Sequence, residues 1–275
     1  MRIGRESLLL EYDDFPGMVA FSTKRGEVVN KDQPYSSFNA NPFCGDREED
    51  VVESQQYLAE ILGITREKLV IPHQVHGTEV LVVDDNYLLQ QDAGKFEMLE
   101  GVDAVVTDRS GVCVCVSTAD CVPLLVCDKR LGCIAAIHAG WRGTVQNIVG
   151  KTLSVMSESF GCEARDCQVL IGPSISLDSF EVGDEVYGKF AETGFDMAKI
   201  ARRYPSVKDE GGMRWHIDLW EANRLQLLEA GVNSHSVRIA GICTYKEYDK
   251  FFSARRLTIK SGRILSGIMR IKENE

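Results

Sequence analysis

Apolar residues cluster in short runs along this chain, and their spacing changes between two and about 3.6. Met18–Ser22 ("MVAFS"), "GVDAVVTD", "GVCVCVS" and "DCQVLIGPSI" are compact apolar runs bounded by glycine or polar residues, and they predict strands. Between Arg47 and Ile64, Val51, Val52, Leu58, Ile61 and Leu62 recur at helical spacing. "FEVGDEVYGKFAETG" and "IDLWEANRLQLLEAGV" also read as helices, the second stopped by Gly231. "KLVIPHQVHGTEVLVVDD" predicts two short strands joined around His76-Gly77. "AGWRGTVQNIVGKTLSVMSESFG" predicts a turn through two glycines into a helix that ends near Gly161. "VRIAGICTY" and "GRILSGIMRIK" supply further strands, whereas Thr23–Asp46 reads as a long polar loop of the kind that often carries function. Hairpins and crossovers are mixed, which predicts an α+β (mixed α/β) fold rather than a doubly wound sheet.

The most informative pattern runs from Ser117 to Gly143, "STADCVPLLVCDKRLGCIAAIHAGWRG". Val122–Cys127 and Gly132–His138 read as two strands around the polar turn "DKRL". A turn centred between Lys129 and Arg130 places Cys121 opposite His138, with Cβ atoms about 5 Å apart in a regular ladder. The hairpin thus brings a thiol and an imidazole together at its open end. Of the five histidines, His76 stands before a glycine at a strand break, and strand alternation directs His73 to the opposite face. His216 and His235 lie in polar surroundings and read as surface residues.

Two histidines and one cysteine with a fourth position open form a catalytic zinc set. Two other readings remain open at this point. One is a buried cysteine beside a satisfied histidine; the other is a metal-free Cys121–His138 nucleophile pair. The glycine-lined turn "HAGWRGT" carries Arg142 and offers an anion site; Lys24 and Arg25, and Arg255 with Arg256, are further candidates.

Composition narrows the partners. The 275 residues suit one domain over 1–275, and the net charge of -10 shows no basic face for nucleic acid. No apolar run is long enough for a signal segment or a membrane span, so a cytoplasmic protein is expected. Nine cysteines without a CxxC pair then read as reduced thiols, with Cys113, Cys115, Cys127 and Cys133 as small buried hydrophobes.

The strings "FSTKRG", "YSSFNAN", "HQVHGTEV", "VDAVVTD", "TADCVPLLV", "AAIHAGWRGTV", "IGPSISLDSFEVGDEV", "DLWEANRLQLLEAGV" and "FFSARR" resemble, in order, the YfiH-type laccase-domain family, also called the polyphenol-oxidase-type purine nucleoside phosphorylases. The resemblance implies layered sheets between helices, an α/β/β/α sandwich similar to a deamidating-toxin domain. It also implies zinc on His76, Cys121 and His138, phosphorolysis of purine nucleosides (adenosine, inosine, guanosine, methylthioadenosine) and adenosine deamination. Asp120 is the candidate for proton transfer, and Arg142, Lys24, Asn39, Gln74 and Arg256 are the candidates for holding substrate and phosphate. The chain departs from the family pattern at Lys24 and Glu27, where the family has arginine and glycine, and after "FFSARR". The stretch "DDNYLLQQDAGKFEMLEG" is an insertion expected to reshape the pocket rim. The family's older name raises copper oxidation, but a multicopper site needs more histidines than the five present. A single copper on the same three residues fits by ligand type. A purely structural zinc would need a fourth protein ligand, and none can be named.

Overall fold

A computed structural model describes residues 4–26, 34–206 and 211–271; the departure at Glu27 lies outside them. In chain order the strands are β1 (Leu9–Glu11), β2 (Met18–Thr23), β3 (Leu69–Val70), β4 (Glu79–Val82), β5 (Val102–Thr107), β6 (Cys113–Thr118), β7 (Val122–Asp128), β8 (Ile134–Ala139), β9 (Cys167–Ile171), β10 (Glu181–Val182), β11 (Ala201–Pro205), β12 (Met213–Ile217), β13 (Val237–Ile239) and β14 (Ile264–Arg270). They form a five-stranded sheet in the order β1-β2-β14-β6-β3 and a six-stranded sheet in the order β13-β9-β7-β8-β5-β4. A small third sheet runs β10-β12-β11.

Side-chain alternation explains the layering. On β5, β7 and β8, Val105, Leu125, Ile134 and Ala136 point one way and meet Ala20, Val114, Val116 and Ile268 of the five-stranded sheet. Their neighbours Ala104, Leu124, Val126 and Ile137 point the other way, onto Leu153 and Met156 of the Ile148–Phe160 helix and Ala222 and Leu227 of the Leu219–Glu229 helix. The outer face of the five-stranded sheet is covered by Leu58 and Leu62 of the Glu48–Leu62 helix. Strands with both faces buried read as continuous apolar runs, as seen in the sequence. The result is the expected α/β/β/α sandwich of mixed sheets.

Three local expectations are corrected. The 141–161 stretch is two helices, Trp141–Val145 and Ile148–Phe160, because Asn147 takes φ 58° and caps the second through its side chain, which accepts from Gly150 N. The two strands read on either side of His76-Gly77 are present as β3 and β4, one in each of the two large sheets. The hairpin register is also shifted. Pro123 pairs with His138 and Leu124 with Ile137, because the connection is longer than "DKRL" and extends through Cys133. Cys121 is therefore a diagonal neighbour of His138, not its partner. Finally, His216 is a buried residue of β12, 2% exposed, and its Nδ1 lies 3.1 Å from the Leu177 carbonyl; only His235 is exposed as expected. The polar pattern misled there because the small third sheet was not anticipated.

Two chain segments pass from the five-stranded sheet to the six-stranded sheet. One joins β3 to β4 and carries His76; the other joins β6 to β7 and carries Cys121. Gln74 ties them together, donating to the Ser117 carbonyl at 2.8 Å and accepting from its amide at 2.7 Å.

Candidate metal centre

The antiparallel pairing of β5 with β8 matches Ala104 to Ile137 and Val105 to Ala136. Continued by one step, it sets Asp103 beside His138, and His138 Nδ1 donates to Asp103 Oδ1 at 2.7 Å. Both side chains are buried, Asp103 fully and His138 to 3% exposure. The same carboxylate accepts from three consecutive backbone amides, Val75 at 3.2 Å, His76 at 3.0 Å and Gly77 at 2.7 Å. Successive amides of this kind form a concavity for an anion, here filled by an internal one. His76 takes φ 63° to make it, a conformation that a non-glycine residue keeps only when surroundings enforce it. One buried carboxylate therefore fixes the tautomer of His138 and the position of His76.

The ligand atoms of His76, Cys121 and His138 lie within 4.8 Å of one another. Zinc bonds of about 2.0–2.3 Å bring such donors close to that span. The two imidazole rings are edge to face with centroids 4.9 Å apart. Gly140 closes the back of the cluster: a Cβ there would lie 2.8 Å from His76 Cδ2 and 3.0 Å from Cys121 Sγ. The residues fit a metal ion in three respects. The donors are two imidazoles and a thiol, His138 is held by a carboxylate as ligating histidines usually are, and Gly140 leaves the cluster space.

Charge is distributed accordingly. Burial opposes ionisation of Cys121, but His138 and His76 outweigh it and bring the thiol down to about 6. Burial opposes charge on His138 too, yet Cys121 and Asp103 raise it to about 9. Burial pushes the Asp103 carboxyl up, while His138 and the Gly77 and Val75 amides hold it below the usual carboxylate range.

The cluster opens on a cavity of about 290 Å³. Gln74, His73 and Phe43 are on its wall, with Ala119, Ile259 and Arg263. His73 and His76 thus share a cavity instead of facing apart, because the segment between β3 and β4 is not a regular strand and turns at His76.

The other sequence candidates are placed as follows. Asn39 is buried behind the wall, where its side chain donates to Asp46 at 3.0 Å and accepts from the Arg263 amide at 3.1 Å. Asp120 accepts from Thr244 Oγ1 at 2.6 Å and from the Arg255 amide at 2.9 Å, which ties the "FFSARR" loop to the Cys121 segment. Arg142 is exposed over the Trp141 ring at 4.4 Å, and Arg256 over Tyr248 at 4.7 Å. Lys24 donates its backbone amide to the Leu8 carbonyl. None of Lys24, Asp120, Arg142 and Arg256 lines the cavity.

Sequence reasoning missed Asp103, Gly140, Phe43 and Arg263. Asp103 carried a readable signal, a carboxylate inside the apolar run "VDAVVT". Such a group is buried only with partners.

Residues 18–271 match the family described as multi-copper polyphenol oxidoreductase laccase, and this chain belongs to that laccase-domain family. It is 56% identical over 235 residues to a purine nucleoside phosphorylase of Bacteroides thetaiotaomicron, covering 86% of this chain and 85% of that one. It is 40% identical over 254 residues to adenosine deaminase RL5 from an unknown prokaryotic organism, covering 92% and 94%. The fold matches the crystal structure of YlmD from Geobacillus stearothermophilus with a TM-score of 0.84 at 31% identity, over 99% of this chain and 98% of that one. No helix among the described residues is long and apolar enough to cross a membrane.

Proposed function

We propose that this chain is a zinc-dependent purine nucleoside phosphorylase that also deaminates adenosine. The observation that carries the reading is a three-donor set, held by a buried carboxylate and open to a cavity of about 290 Å³. The names of the relatives supply the substrate class. Zinc held by His76, Cys121 and His138 would polarise an oxygen of phosphate or water and leave a position for it. Copper on the same residues is the alternative.

The protein's own groups then divide the work. Asp103 keeps the proton on Nδ1 of His138, so that its other ring nitrogen offers a lone pair toward the cavity. Asp103 also holds His76 in place through the backbone. Arg263 is the cation on the cavity wall and brings positive potential to the phosphate. We assign Arg142, Lys24 and Arg256, from outside the wall, to drawing phosphate toward the cavity. Asn39 and Gln74 fix the wall through their hydrogen bonds. Asp120 acts through the loop it holds and from there serves proton transfer only by way of water.

The test incubates wild type and Cys121→Ser with adenosine and inosine, with and without phosphate, and separates the products. Free base and ribose 1-phosphate formed only with phosphate and only by wild type support phosphorolysis. Inosine from adenosine without phosphate supports deamination. Turnover unchanged in Cys121→Ser would refute the metal site as its seat.

A further inference from the structure

The floor of the cavity is polar, but two apolar side chains stand on its wall in unusual states. Ile259 lines the cavity and is 76% exposed. Its loop is nevertheless fixed. The Arg263 guanidinium donates to the carbonyls of Ile259 and Gly262, each at 3.0 Å, and to that of Ser261. Ser261 Oγ donates to the Thr258 carbonyl at 2.9 Å, and Thr258 takes φ 103°. A strained, well-bonded loop thus holds a large apolar side chain at the cavity.

Phe43 is the second wall. His73 stacks on its ring, with centroids 4.4 Å apart and planes 22° from parallel. Glu100 holds His73 through Nδ1 at 2.8 Å. Phe96, on the Asp92–Leu99 helix of the insertion, approaches Phe43 at 6.3 Å. The Phe43 amide donates to Asn41 Oδ1 at 2.6 Å. The ring is thus braced from behind, and a braced ring costs little entropy when a ligand stacks on it.

We propose that Phe43 and Ile259 grip the base of the nucleoside, so that a flat heteroaromatic ring is held at the cavity wall beside the metal donors. This rests on the nucleoside reading given above. Stacking on an aromatic side chain strengthens binding about ten- to a hundredfold per base. A purine offers more face than a pyrimidine, so the same wall favours purines.

The experiment uses zinc-loaded wild type, Phe43→Ala, Phe43→Trp and Ile259→Ala. It measures the adenosine Kd by calorimetry, the KM and kcat of phosphorolysis, and the zinc content. The expected result is a rise of about tenfold or more in Kd and KM for Phe43→Ala, with kcat and zinc content little changed. Phe43→Trp restores binding, and Ile259→Ala shows a smaller rise. Phe43→Ala that binds adenosine as tightly as wild type overturns the proposal while nucleoside turnover stands. Loss of affinity in Phe43→Trp equal to that in Phe43→Ala also overturns it, since the stacking face is retained. Wild type that neither binds nor converts adenosine overturns this proposal together with the nucleoside reading.

Discussion

The floor and the mouth of the cavity are built on opposite principles. At the floor, Asp103, His138 and the amides of Val75, His76 and Gly77 are interlocked, and Asp103 is fully buried. At the mouth, Ile259 is exposed and apolar, although its loop and the Phe43 ring are braced. Buried polar groups are costly unless every partner is present, so the floor tolerates little change. Exposed apolar groups cost little to alter, so the mouth can vary with the ligand. The difference separates the groups that hold reacting atoms from those that choose what enters.

The largest expected effect is at the floor. Cys121→Ser removes the thiolate donor and lowers phosphorolysis by about three orders of magnitude or more, read from kcat/KM with added zinc. Asp103→Asn comes next. It keeps the size of the side chain but loses the charge that orients His138, and metal affinity falls about 10- to 100-fold in a competition titration. Its melting temperature falls as well, because three backbone amides and an imidazole lose a charged acceptor. Gly140→Ala sets a methyl against His76 and Cys121, so zinc affinity drops while the distant core keeps the fold. That drop is expected to be smaller than the loss in Asp103→Asn.

Acidity gives a further contrast. In metal-free protein, His138 and His76 favour the Cys121 thiolate, so alkylation of this thiol has a midpoint near 6. A depressed thiol pKa means that reactivity is present above the midpoint and is lost as pH falls through it. His138→Gln removes the cation and moves the midpoint upward by about one unit or more, toward the ordinary thiol value. Mass spectrometry of the Cys121 peptide after timed alkylation reads both. The smallest effect belongs to the mouth. Glu100→Gln weakens the brace behind His73 and raises the adenosine KM by about two- to threefold, with kcat and zinc content unchanged.

Much of this arrangement was legible in the chain. Alternation and apolar runs located β2, β5 to β9 and β14, and one hairpin end does bring a cysteine and a histidine close together, though not as ladder partners. The geometric reason was not legible. A two-residue shift in register puts Pro123, rather than Cys121, opposite His138 on β7, while Asp103 reaches His138 from β5 on the other side. Sequence could not supply this, because hairpin register depends on a loop whose length was misjudged. The three-stranded sheet was hidden for another reason: β10 is two residues long, and β11 and β12 carry exposed arginines. The cavity mouth depends on tertiary contacts between Phe43, His73 and Phe96, which lie far apart in the chain and leave no periodic trace. The histidine of the "HQVHG" string that lies nearer Pro72 was misplaced because a positive φ at His76 breaks the alternation used to orient it.

The central claim is that His76, Cys121 and His138 together hold one catalytic metal ion. The most direct measurement is elemental analysis by mass spectrometry of wild type and Cys121→Ser, each purified without added metal and assayed on the same samples. The account predicts close to one zinc per wild-type chain, little in the variant, and phosphorolysis that follows the zinc content. Full activity in metal-free wild type, or zinc retained at full occupancy by Cys121→Ser, would contradict it.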